Sequence, residues 1–127
     1  MKDSEPRTKN QPLHKRIRFA VAGIRETWRR ERSFRAQVGV AVLVVGALLV
    51  IRPSPVWWAL VGFVIFAVLA VEMINTALET LIDHLHPDIH PQIRAVKDMA
   101  AGAVLLVVVG AVVVGAVLLV ETVWGAF

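Results

Sequence analysis

Residues 38–51, 56–75 and 99–120 form three apolar runs in a chain of 127 residues, and no soluble fold of that size has room to bury them. A helix needs about 20 residues to cross a hydrocarbon core, and the second and third runs reach that length. The first run is fourteen residues long and must borrow from residues 34–37 or extend as far as Pro53 to span. Lipid offers no partner for an unpaired backbone N–H, so each run is expected to be a helix. A hydrophobic content of 57% agrees with an all-α membrane protein.

The segments around these runs divide cleanly. Residues 1–12 are polar and carry Pro6 and Pro12, without the apolar stretch of a signal peptide, and are expected to form a disordered cytoplasmic tail. Over residues 13–33, Leu13, Ile17, Ala20, Val21, Ile24 and Trp28 recur at helical spacing, with Lys15, Arg16, Arg18, Arg25 and Arg29 mostly between them. Alone, that pattern fits a helix on a soluble core; ahead of three apolar runs it fits an amphipathic helix lying in the membrane interface. Arg52-Pro53-Ser54-Pro55 breaks the chain between the first two runs, because proline ends helices and restrains the residue before it. Residues 13–127 are therefore expected to make one membrane-embedded domain. It comprises a surface helix at 13–33 and membrane helices at about 34–52, 56–85 and 97–124.

With three spans, the N-terminal segment and the connection before the third run share one side of the membrane. That side holds thirteen of the fourteen Lys and Arg, with Arg52 alone opposite. The positive-inside rule makes it the cytoplasmic side. Trp57, Trp58 and Trp124 then fall at the outer interface and Trp28 at the inner one. The basic N-terminal segment implies anionic lipid head groups rather than nucleic acid as its partner, given the apolar runs behind it.

Charge at the edge of such runs is costly and marks function. Glu72, Asn75 or Thr76, Glu79 and Asp83 share one face of a helix, and three carboxylates on one stripe offer a site for a cation. Glu72 lies deepest. Asn75 and Thr76 also suit hydrogen bonds between helices, and Asp83 suits a cap or a clamp on Lys97. Lys97 and Asp98 open the third span, where a lysine serves either as an anchor or as a contact for phosphates. Intramembrane acids also mark ion pathways, and a structural scaffold needs no chemistry at all.

Several designs are excluded. The chain has no cysteine, hence no thiolate nucleophile and no cysteine-type zinc site. No G-x-x-x-x-G-K-[ST] and no protein-kinase motif is present, and Gly110, Ala111 and Gly115 read as small residues that let helices pack closely. His84, His86 and His90 invite a zinc reading, but Pro87 interrupts the i, i+4 pair.

The run E-M-I-N-T-A-L-E-T-L-I-D at residues 72–83, followed by K-D-M-A-A-G at 97–102, resembles the signature of the prokaryotic diacylglycerol kinases, membrane lipid kinases that include the undecaprenol kinases. The resemblance extends from about Lys15 to the C-terminus. It implies a homotrimer with active sites between subunits, ATP as co-substrate, Mg²⁺ as cofactor and a membrane lipid alcohol as acceptor. It implies Glu72 as the proton acceptor, Glu31 and Glu79 as metal ligands, and Glu72 and Ala101 as lipid contacts. To ATP it assigns Phe19, Glu31, Glu79, Asp88, Ile89, His90, Lys97 and Asp98, with Asn75 and Asp83 in support. Without the resemblance, Glu31 reads as an exposed partner of nearby arginines. Some positions depart from the diacylglycerol kinase branch. Phe19 stands for a tyrosine, Gln37 for a glutamate, and Pro12 falls near an arginine for which Lys15, Arg16 or Arg18 substitutes. Ala100-Ala101-Gly102 is closer to the undecaprenol kinase branch.

Overall fold

The computed structural model describes residues 10–125, and most of the expected tail at 1–12 lies outside them. Four helices follow one another: α1 (Leu13–Arg30), α2 (Arg32–Ile51), α3 (Pro55–Leu85) and α4 (Pro91–Gly125). Among the described residues there is no strand. The chain is an all-helical membrane protein in which α2, α3 and α4 are each long and apolar enough to span a bilayer.

α2 gains its length on the N-terminal side, taking in Arg32 to Gln37 to reach 20 residues, and ends at Ile51. The chain turns from α1 into α2 at Glu31, whose backbone is extended (φ −108°, ψ 112°). The surface helix thus stops at Arg30, short of the residue 33 expected from its pattern. No proline or glycine marks the break. Instead, the Arg35 guanidinium donates to the carbonyls of Trp28 and Arg29, capping orphan acceptors at the end of α1. The Leu13, Ile17, Val21, Ile24 and Trp28 stripe of α1 is left exposed by the protein, as an interfacial helix requires.

The α2–α3 turn uses the proline break. Arg52 adopts a left-handed conformation (φ 52°, ψ 54°) and its N–H closes on Leu48 O at 2.8 Å, while Pro55 takes the first position of α3, where no N–H is needed. α4 starts at Pro91, about two turns before the expected 97, because Pro91 opens a helix as readily as Pro55 does. The connection between α3 and α4 is thereby cut to residues 86–90, and Lys97 and Asp98 sit inside α4.

α3 pairs with α4 most extensively, α2 packs on α3, and α1 touches α2 and α3. The core is small: Leu48, Val61 and Leu118, flanked by Val44, Trp57, Trp58, Ile65 and Val114. Most apolar side chains face outward, as they do where lipid is the solvent.

Candidate active site

Two polar clusters sit on the C-terminal half of α3, at the end of the bundle where α1 meets α2. The inner one centres on Glu72, which is 5% exposed. Ser33 Oγ donates to Glu72 Oε1 at 2.6 Å and Gln37 Nε2 donates to Oε2 at 3.1 Å, so both carboxylate oxygens are held from the first turns of α2. Ser33 and Gln37 are one helical turn apart and face α3 together. Beside them Gln37 Oε1, Asn75 Oδ1 and Thr76 Oγ1 are buried without a hydrogen-bond partner among the described residues. An unpaired buried polar atom costs about 1–3 kcal/mol, so the inner cluster carries a local cost beside Glu72.

The outer cluster joins α3 to α4. Lys97 Nζ donates to Asp83 Oδ1 at 2.5 Å, which realises the clamp open to Asp83 in the sequence. Glu79 is close enough to act on the same ammonium, and its carboxylate takes part in no ion pair among the described residues. Asp98 is exposed on α4, and Ala101 is exposed one turn on from Lys97.

Glu31 is half-buried at the α1–α2 break. The arginine pairing that its neighbourhood suggests belongs to Glu26, which takes Arg29 and Arg30; the Arg30 hydrogen bond holds the Glu26 carboxyl below its ordinary range. Phe19 is half-buried on α1. Asp88, Ile89 and His90 lie exposed in the α3–α4 connection. There the His86 ring meets Asp88 O at 3.2 Å, and His90 Nδ1 accepts from Gln92 N–H at 3.1 Å. His90 Nδ1 is therefore engaged, and among the described residues no group of three or more His, Asp or Glu could hold a metal. Mg²⁺ needs no such group, since it takes one or two protein carboxylates and fills its shell from phosphates and water. Glu31 and Glu79, neither in an ion pair among the described residues, have the donor chemistry that demand calls for.

Between α2, α3 and α4 runs a groove of about 510 Å³. Val44, Ile65, Val108, Ala111 and Leu118 are typical of its lining, and Gln37 is the one polar side chain in it. The groove thus ends at the side chain that holds Glu72.

A family model for prokaryotic diacylglycerol kinase matches residues 18–119, which include every one of these side chains. The chain belongs to the prokaryotic diacylglycerol kinase family. Membership makes it a membrane lipid kinase, a phosphotransferase with an alcohol acceptor. Among its relatives, the undecaprenol kinase of Bacillus subtilis is 33% identical over 91% of this chain and 94% of that protein. The diacylglycerol kinase of Synechocystis is 37% identical over 81% of this chain and 59% of that protein, and that of Escherichia coli is 30% identical over 80% and 83%.

The residues that sequence reasoning missed are on α2. Ser33 carries no motif of its own, and Gln37 stands out in the sequence only for replacing a glutamate. The signal that could have found them is their i, i+4 spacing at the start of a span, since two polar residues on one face beside an apolar run need a partner on another helix.

Proposed function

We propose that this kinase transfers the γ-phosphoryl group of ATP to the hydroxyl of a membrane lipid alcohol, diacylglycerol or undecaprenol, at the cytoplasmic end of α3. One observation carries the reading: a buried carboxylate, Glu72, oriented by two neutral donors at the polar end of an apolar groove. A lipid tail in the groove brings its alcohol beside Glu72, whose carboxylate accepts the hydroxyl proton as the oxygen attacks phosphorus.

Two turns further along α3, about 10 Å by helical rise, Glu79 and the Lys97–Asp83 pair supply the phosphate end. Lys97 offers its ammonium to the nucleotide phosphates, with Asp83 fixing its position. Phe19, Asp98 and the exposed Asp88–Ile89–His90 stretch complete the nucleotide contacts, and Ala101 borders the lipid. Glu31 and Glu79 would hold Mg²⁺, which neutralises phosphate charge when bound.

Three spans whose buried apolar core is only Leu48, Val61 and Leu118 enclose little by themselves, which supports a homotrimer whose active sites lie between subunits, with the N-terminus and site facing the cytoplasm of a bacterial inner membrane. An ion pathway fits poorly, because every acid among the described residues except Glu121 lies toward one end and the groove beyond Gln37 is apolar.

The test offers diacylglycerol and undecaprenol in parallel to the detergent-purified protein with γ-labelled ATP and Mg²⁺. Label in either lipid supports the reading and selects the acceptor. No label in either, from folded protein, refutes it.

A further inference from the structure

We propose that Ser33 and Gln37 are positioning residues for the phosphoryl transfer. The inference rests on Glu72 acting as proton acceptor and adds what makes that carboxylate usable.

A glutamate side chain has three rotatable bonds, and an unrestrained carboxylate at the edge of a span would sample several rotamers. Here each oxygen is tied by one donor, Oε1 by the Ser33 hydroxyl and Oε2 by the Gln37 amide. Each oxygen keeps a lone pair for an incoming hydroxyl proton. Both donors are neutral, so they orient the charge without cancelling it as a lysine or arginine would. They also come from α2 of the same chain, so the base is oriented before lipid or nucleotide arrives.

Gln37 is also the polar member of the groove lining, with its amide nitrogen spent on Glu72 and its carbonyl Oε1 buried. Both residues act through the base and should influence kcat rather than the KM of either substrate.

The test is steady-state kinetics of Ser33→Ala, Ser33→Thr, Gln37→Leu and Glu72→Gln, each checked for folding by size exclusion and thermal unfolding in detergent. Misplacing a catalytic group by about 1 Å costs on the order of 100-fold, so Ser33→Ala and Gln37→Leu should lower kcat roughly 10- to 100-fold, with KM for ATP within about twofold of wild type. Ser33→Thr keeps the hydroxyl and should recover most of the loss.

Wild-type kcat in Ser33→Ala and Gln37→Leu, with Glu72→Gln inactive, overturns the positioning role and leaves the base intact. Loss of kcat that Ser33→Thr does not rescue, accompanied by early unfolding, assigns the pair to helix packing instead and also overturns it. An active Glu72→Gln removes the base, and the inference falls with it.

Discussion

The two halves of α3 pose opposite problems. From Pro55 to about Leu69 the helix is held by shape: Val61 packs with Leu48 and Leu118, and Ile65 and Val114 close around them. From Glu72 to Asp83 it is held by polar contacts, Ser33 and Gln37 on Glu72, then Lys97 on Asp83. In lipid the apolar half gains little from burial itself, because the surrounding acyl chains are as apolar as leucine, and only close packing separates the folded helix from a loose one. The polar half gains from each donor it finds, and it retains buried atoms that have found none among the described residues. One half therefore carries assembly and the other chemistry, and substitutions should sort accordingly.

The sharpest separation is expected at Glu79. Glu79→Gln should lower kcat by about 10³-fold or more if it is a metal ligand, with an increased Mg²⁺ requirement and an unaltered unfolding temperature. Kinetics across a Mg²⁺ titration check this. Lys97→Ala removes a charged donor, worth about 1.5–3 kcal/mol, and should raise KM for ATP roughly 10- to 100-fold with a smaller change in lipid KM. A change confined to lipid KM would move Lys97 out of the nucleotide site.

In the other half, Leu48→Ala should destabilise by about 1–2 kcal/mol, less than a buried leucine in a soluble core because only packing is lost, while kcat per folded protein stays near wild type. Unfolding in detergent with parallel activity reads both quantities. Loss of activity without loss of stability would blur the division of α3. The smallest effect belongs to Arg52, the one non-glycine residue with positive φ among those described. Arg52→Gly relieves a left-handed conformation at the α2 C-cap and should stabilise by less than about 1 kcal/mol, without touching turnover.

Much of this was legible beforehand because membrane helices are written in runs. The three spans, the interfacial stripe from Leu13 to Trp28 and the acidic face of α3 all follow from periodicity and length. The ends were less legible. Residues 91–96 look like connection because Pro91, Gln92 and Arg94 interrupt the apolar pattern ahead of Lys97 and Asp98, yet Pro91 begins α4, since proline suits a first turn whether polar or apolar residues come after it. The break at Glu31 carries no proline or glycine and depends on Arg35 reaching back to α1, a tertiary contact that no local pattern reveals. The acids of the site were visible for the same reason that they matter: charge beside lipid stands out. Ser33 did not stand out, because a serine at a helix start is ordinary until Glu72 is seen opposite it.

The kcat of Glu72→Gln tests the account most directly, because the substitution keeps the size of the side chain and the apolar groove, and replaces one acceptor oxygen by an amide nitrogen, so that the group can no longer take a proton. With folding verified, label transfer from ATP to the lipid should fall at least about 10³-fold while nucleotide still raises the unfolding temperature in the presence of Mg²⁺. Turnover within about tenfold of wild type would contradict a proton acceptor at Glu72, and with it the division of α3 into an assembling half and a reacting half.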